Sequence, residues 1–236
     1  MSTGYFLCME SHLDDKKDVV FMSERTTAAI ILAAGTSSRI GEDRHKLLLP
    51  LGDRPVIAHV LDAVLASQAR PVLLVLGHRS AQLRAVLAPY LAHPEVHPID
   101  NSHYQQGMST SIHTGLTELT RLMPDCDSTL IILGDQPLLS ASILDTLMEA
   151  RHTTHSHIIA PLYQGQRGNP VLFERSLFPE LLEVQGDEGG RTVLMRHRIE
   201  VSTIEVGSPH ASYDVDTWDA YEAVVKEWHK QHHSDK

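Results

Sequence analysis

Short, continuously apolar runs separated by segments of helical spacing constrain this chain more than any other feature. "AAIILAA" (28–34), "PVLLVLG" (71–77) and "STLIILGD" (128–135) hold their apolar residues side by side, not at alternate positions. That is the pattern of strands buried on both faces. Between them "PVIAHVLDAVLASQ" (55–68), "SAQLRAVLAPYL" (80–91), residues 109–121 and "SASILDTLMEA" (140–150) repeat apolar positions at helical spacing, the last behind Ser140 as an N-cap. "VHPI" (96–99) reads as a weaker strand. Strand and helix alternating through residue 150 predict an α/β fold: a doubly wound, mostly parallel sheet with helices on both faces. Right-handed crossovers and ligand binding at the carboxyl ends of the strands follow. Beyond residue 150 the rhythm changes. "HIIAPL" (157–162) is a strand, "YQGQRGNPVLF" (163–173) a turn-rich excursion into another, "VSTIEV" (201–206) a late strand and "TWDAYEAVVKEWHK" (217–230) a closing amphipathic helix. With no repeat, low-complexity linker or composition break, a single domain over 28–230 is expected, between a leader (1–27) and a polar tail (231–236).

At 236 residues, with 42% hydrophobic and 21% charged, the chain suits one large globular domain. Its formal charge of −10 argues against a nucleic-acid or anionic-membrane surface. It leaves room for a small anionic ligand, which needs only a few cations and oriented N–H groups. Cys8 and Cys126 lack metal-ligand spacing and read as reduced thiols of a cytoplasmic protein. No apolar run reaches the length of a membrane span, and "ESHLDDKKD" interrupts any secretory core. The leader is expected to be flexible or mis-started, with Met22 as the other start. The 16 histidines are scattered, and "HKQHH" (229–233) reads as a solvated tail, not a metal site.

The first apolar run stops at Gly35, where N–H groups can be presented with no side chain in the way. Thr36, Ser37 and Ser38 add hydroxyl donors, and Arg39 and Lys46 add charge. Two readings stand at this point: an ordinary polar loop between strand and helix, or a phosphate cradle. G-x-x-x-x-G-K-[ST] fails, because five residues separate Gly35 from Gly41 and no lysine follows. G-x-G-x-x-G fails as well, since no glycine comes two after Gly35. "LIILGDQPL" puts Asp135 just past a buried strand. A carboxylate there costs desolvation energy unless it is paired, caps the turn before Pro137, or holds a cation.

"LAAGTSSRIG" (32–41), followed by Lys46-Leu47 and Leu49-Pro50, resembles the signature of the nucleotidyltransferases related to molybdenum-cofactor guanylyl- and cytidylyltransferases. The family pattern is L-A-[AG]-G-x-S-x-R-[MI]-G, then K. Further motifs match in order: Asn101 with "GMSTS" (107–111), "GDQP" (134–137), "RGNP" (167–170), "GDEGGR" (186–191) and "DVDT" (214–217). The resemblance therefore covers about residues 28–225, and it implies a Rossmann-like nucleotidyltransferase fold with a nucleotide half and an acceptor half.

It also implies roles. Residues Leu32, Ala33, Ala34, Gly35, Thr36, Ser37 and Ser38 would wrap the nucleotide, with Arg39 and Lys46 neutralising its β- and γ-phosphates. Asp135 would be the primary Mg²⁺ ligand and Asp216 the second, with Asp214 at strand spacing ranked below them; Mg²⁺ usually takes only one or two protein carboxylates. Thr217 as a helix cap, with Asp216 a solvated acid beside it, is the plain alternative. Gly77, Asn101, Gly107 and Ser111 would form the base side, Asn101 as a support for the loop, Ser109 and Ser111 opening a helix toward the ligand, and His78 as a wall. Arg167, Gly168, Asn169, Asp187 and Arg191 would form the acceptor side, with Asp187 capping a helix that begins near Gly189. A phosphate-monoester acceptor is already mostly anionic at neutral pH, so no dedicated general base is required.

Within the family "LAAG" is more like the cytidylyl branch and "LAGG" more like the guanylyl branch, and the Ala34 methyl would narrow a purine pocket. The resemblance thus implies transfer of CMP from CTP to molybdopterin (Mo-bound), with a transient contact to a molybdoenzyme or its chaperone. Two alternatives remain: the same chemistry with GTP or with a sugar or alcohol phosphate, and a non-catalytic carrier of nucleotide or cofactor.

Overall fold

Strand β1 (Thr27–Ala33) is buried on both faces, as its continuous apolar run predicts. The computed structural model describes residues 26–37, 39–41 and 44–233. Residues 1–25 of the expected leader, Ser38 and the last three residues of the expected tail lie outside the described residues. After the loop that follows β1 comes a small antiparallel hairpin of β2 (Pro50–Leu51) and β3 (Arg54–Pro55), which no alternation in the sequence foretells. Pro55 holds the chain extended ahead of α1 (Val56–Ala66).

β4 (Val72–Leu76) is followed not by one helix but by two, α2 (Ser80–Val86) and α3 (Ala88–Leu91). Pro89 has no N–H to continue the ladder of α2, and it sits instead in the first turn of α3, where none is needed. β5 (Val96–Asp100), α4 (Met108–Leu122), β6 (Ser128–Leu133) and α5 (Ala141–Thr154) complete the expected alternation. Ser140 does stand at the N-cap of α5, but its hydroxyl pairs with Ser142 and not with a backbone amide.

The second half holds β7 (Ile158–Tyr163), β8 (Gln166–Arg167), β9 (Val171–Glu174), α6 (Phe178–Glu183), α7 (Arg191–Arg196), β10 (Val201–Glu205) and α8 (Trp218–His233). The closing helix therefore runs three residues into the segment expected as tail. There His232 stacks on Trp228 with ring centroids 4.2 Å apart and donates to the Trp228 carbonyl.

The sheet order is β10-β7-β9-β6-β1-β4-β5. Along it only β9 runs antiparallel to its neighbours β6 and β7, and β8 pairs antiparallel with β7 off that path. The chain leaves β1 toward β4 and β5, then crosses back to pair β6 on the other side of β1. That reversal opens a crevice at the carboxyl ends of β1 and β6, where α/β sheets take their ligands. The expected single, mostly parallel α/β domain is what the chain forms.

Both faces of the sheet are covered. Ala29, Ile31 and Ala33 face Ile57 and Leu61 of α1 and Leu144 and Leu147 of α5. Ala28 and Ile30 face Ile112 and Leu116 of α4 and Leu181 of α6. Each such Leu or Ile contributes roughly 1.5–3 kcal/mol on burial, against about 0–1 kcal/mol for an exposed ion pair, so the layers and not the surface charges fix the crevice. A third cluster of Leu49, Leu51, Val56, Val215 and Val224 fastens the hairpin and α8 to one another.

Candidate active site

Asp135, the second residue after β6, is buried, and it lies within 4.8 Å of Asp214 and Asp216 by ligand oxygens. Two bonds explain why a segment so distant in sequence arrives there. The Val215 N–H donates to the Asp135 carbonyl at 3.0 Å, and the Gln136 side-chain amide donates to the Ser212 carbonyl at 3.3 Å. With Val215 wholly buried, the side chains on either side of it, Asp214 and Asp216, both turn toward Asp135. Burial raises the Asp214 carboxyl above its ordinary range, and the charges of Asp135 and Asp216 raise it further.

Lys46 answers this negative charge. Its Nζ lies 2.5 Å from Asp135 Oδ2 and 2.5 Å from Asp216 Oδ1. Burial would lower the ammonium, but the two carboxylates outweigh it and hold Lys46 above its usual value. Arg39 adds a 3.2 Å contact to Asp216 from a side chain that is 71% exposed. Thr217 does cap α8, accepting from the Ala220 N–H. The plain reading of this segment thus holds for Thr217, while Asp216 is paired inward and is no solvated acid.

Lys46 is placed by its neighbours. Ser37, at φ 59 and buried, accepts the Lys46 N–H through its hydroxyl at 3.1 Å. It braces the lysine from behind and does not face the crevice. His45 caps the short turn at Lys46–Leu48: Nδ1 accepts from the Leu47 N–H, which leaves Nε2 to donate to the His78 carbonyl at 3.2 Å. Burial lowers the His45 imidazole to about 4.

A cavity of about 400 Å³ opens in front of this cluster. Leu32, Ala33, Ala34, Gly35, Thr36, Lys46, Gly107, Ser111, Asp135 and Asp216, all named from the sequence for the nucleotide or metal side, line it. Tyr104, Gln105, Met108, Leu133 and Asp214 line it too. The first three fall inside "NSHYQQGMSTSI" (101–112), the stretch that reads as a base pocket, though none of them is assigned a role of its own, and Asp214 ranks below the other aspartates. Leu133 is an ordinary strand residue whose place depends on where β6 ends. Gly77 and Asn101 stand behind the wall. A Cβ on Gly77 would lie 2.7 Å from the Ala34 Cβ and 2.8 Å from the Tyr104 Cβ, so the bare backbone lets those two close together. Asn101 is buried and donates to Thr110 and Ser111 while accepting from the His103 N–H, a support for the loop as anticipated. His78 stacks on His45 at 5.6 Å and serves as packing.

A second cavity, of about 450 Å³, adjoins the first, with Met108, Leu133 and Asp187 lining both. Arg167, Gly168, Asn169, Asp187 and Arg191, the residues expected on the acceptor side, all line it over an apolar floor that includes Ile131 and Phe173. Tyr163 holds the turn, donating its hydroxyl to the Asn169 carbonyl at 2.7 Å; burial raises this phenol. One expectation is corrected. Asp187 does not cap the helix after Gly189, since α7 begins at Arg191 with no side-chain cap. It caps α4 instead, accepting the Met108 N–H at 3.2 Å.

The profile of the MobA-like NTP transferase domain matches residues 29–201. The chain belongs to this family. As a MobA-like NTP transferase it is a nucleotidyltransferase enzyme, whose family commonly uses a divalent metal. It is 29% identical over 201 residues to the purine catabolism protein PucB of Bacillus subtilis (strain 168), covering 83% of this chain and 94% of PucB. It is 30% identical over 152 residues to the bifunctional protein GlmU of Desulfotalea psychrophila, covering 64% of this chain and 42% of GlmU. The chain thus spans less than half the length of that relative. Among solved structures, the manganese complex of Rv0371C from Mycobacterium tuberculosis H37Rv superposes with a TM-score of 0.67 at 26% identity, over 85% of this chain and 98% of the other. Among the described residues no helix is long and apolar enough to cross a membrane.

Proposed function

We propose that this MobA-like NTP transferase moves CMP from CTP to molybdopterin (Mo-bound), giving the cytosine dinucleotide and pyrophosphate. The reaction would take place in the cytoplasm, with the product passed on to a molybdoenzyme or its chaperone. The observation that carries the reading is a three-carboxylate cluster, closed by Lys46, in one of two adjoining cavities of unlike lining. An oxygen of the acceptor phosphate would form a bond to the α-phosphorus as the bond from that phosphorus to the β-phosphate bridge breaks, releasing pyrophosphate. Binding the two substrates in adjoining cavities supplies the proximity that such an in-line exchange needs.

The cluster fits a divalent cation. Three carboxylates meet where one is buried, and the Lys46 ammonium already stands where positive charge is required. Asp135, Asp214 and Asp216 would hold Mg²⁺, which would supply Lewis-acid stabilisation of charge on the phosphate oxygens. The manganese bound by the Rv0371C relative supports a divalent site. Lys46 neutralises phosphate charge once its carboxylates have another partner, and Arg39, exposed at the rim, can swing from Asp216 to the outer phosphates. Gly35 and Thr36 present backbone and hydroxyl donors along the same wall. On the acceptor side Arg167 and Arg191 offer cationic grips around an apolar floor suited to a flat ring system.

The choice of CTP rests on Ala33 and Ala34. Both are almost fully buried where they line the nucleotide cavity, and Ala34 is backed by Gly77 and Tyr104, so its methyl group cannot retreat before a purine. One methyl group of this kind discriminates by about 10–200-fold.

Pyrophosphate release with Mg²⁺ and molybdopterin, measured in parallel for CTP and GTP, tests the assignment. CTP turnover at least about tenfold above GTP is expected. Preferred turnover of GTP would reassign the base, and no release with either nucleotide would remove molybdopterin as acceptor. Asp135→Ala is expected to lower the rate by at least about a hundredfold. An Asp135→Ala variant with wild-type activity would overturn the site itself.

A further inference from the structure

We propose that Asp187 is a positioning residue that locks the nucleotide-side loop to the acceptor-side loop, so that the two cavities respond as one unit. Its kinetic consequence rests on the transfer reading above; its structural consequence does not. The Met108 N–H is the first donor of α4, and an unpaired donor at a helix start needs a partner. The N-cap residue, Gly107, has no side chain to offer. Asp187, 79 residues away, fills the role at 3.2 Å, with a carboxylate that also suits the positive end of the helix.

Two close approaches reinforce that bond. Gly107 stands at φ +108 against the backbone of Gly186, where a Cβ would come within 2.4 Å of the Gly186 carbonyl carbon and 2.5 Å of its oxygen. A Cβ on Gly189 would lie 2.8 Å from the Met108 Sδ. Met108 is thus held by Asp187 at its amide and by Gly189 at its sulfur. Met108, Leu133 and Asp187 line both cavities, and Gly107 and Ser111 on the same turn face the nucleotide side. A shift of residues 186–190 when an acceptor arrives is therefore passed to the first turn of α4. Lys46 and the carboxylate cluster line the first cavity alone and make no bond to Asp187 or Met108, so this link is separate from them.

The test uses the full chain and two variants. Asn at position 187 keeps a side-chain oxygen that can accept the Met108 N–H; Ala does not. In the wild type, saturating molybdopterin is expected to lower the KM for CTP at least about fivefold, and the reverse, as coupled sites do. Asp187→Ala should make the two KM values independent while kcat falls by less, and Asp187→Asn should restore the coupling. Wild-type coupling in Asp187→Ala, or an Asp187→Asn variant as defective as Asp187→Ala, would overturn the proposal. Amide hydrogen exchange on the free chain needs no substrate. Asp187→Ala should speed exchange at residues 107–109 and 186–190 together, and Asp187→Asn should not. Unchanged exchange in Asp187→Ala would overturn the interlock whatever the substrates prove to be. A wild type inactive with both nucleotides would strike the transfer reading alone and leave the exchange result to decide the interlock.

Discussion

His45 shows how a single residue outside the cavity can govern it. Its Nδ1 accepts from the Leu47 N–H, so a second proton has no place on that nitrogen without breaking the cap that sets Lys46. The folded-state pKa is lowered to about 4 from 6.5, so between those values the unfolded chain binds the proton and the folded chain does not. The stabilisation is therefore complete above pH 6.5 and is lost as pH falls toward 4. For a buried group this shift corresponds to roughly 3 kcal/mol. Urea midpoints measured from pH 7 to pH 4.5 should decline, and His45→Gln should flatten the decline; an unchanged slope in that variant would assign the acid sensitivity elsewhere. His45 passed unnoticed in the sequence because nothing in "DRHK" distinguishes a buried cap from a surface histidine. Asp214 was undervalued for a related reason. Strand spacing puts it beside Asp216, but it is the bonds from Val215 to the Asp135 carbonyl and from Gln136 to the Ser212 carbonyl that bring the carboxylates to one point.

At the scale of elements, the strands were legible where burial on both faces leaves a continuous apolar run, as in β1, β4 and β6. The antiparallel insertion of β9 was not. "VLF" has the same composition whichever way it runs, and its direction is set by the turn that begins with β8. That turn also carries Arg167, Gly168 and Asn169 to the second cavity, and Tyr163 fixes it through the Asn169 carbonyl. Tyr163→Phe removes one buried donor and is expected to cost about 1–3 kcal/mol. The KM for the acceptor should rise several-fold while that for the nucleotide stays put. Equal effects on both substrates would show that the turn serves the whole site and not one side of it. The motif residues themselves were easier to find than their partners. "GDEGGR" marked Asp187 as important, yet its bond to Met108 crosses between loops that no local pattern connects.

The whole molecule assembles its site from the strand ends of the first half and from a segment just ahead of α8. That helix is clamped to the hairpin: Trp228 packs over Gly52, and the Tyr221 hydroxyl donates to the Pro50 carbonyl at 2.5 Å. Trp228→Ala is expected to cost about 2–3 kcal/mol of global stability. Because Asp214 and Asp216 reach the cluster from the segment leading into α8, turnover should fall further than the unfolded fraction accounts for. Thermal melts and pyrophosphate assays on the same preparation would separate these; activity that simply tracks the folded fraction would mean that the aspartates hold their place without the clamp.

Lys46 meets Asp135 across 89 residues of chain and Asp216 across 170. On a ribosome making about 5–20 residues per second, the second partner follows the lysine by on the order of ten seconds or more. For the last 81 residues of that interval, from Asp135 to Asp216, the growing chain carries the glycine loop, the lysine and one carboxylate but not the second. Synthesis order thus withholds the complete cluster until Asp216 has emerged, and a product that stops ahead of Asp214 lacks two of the three carboxylates.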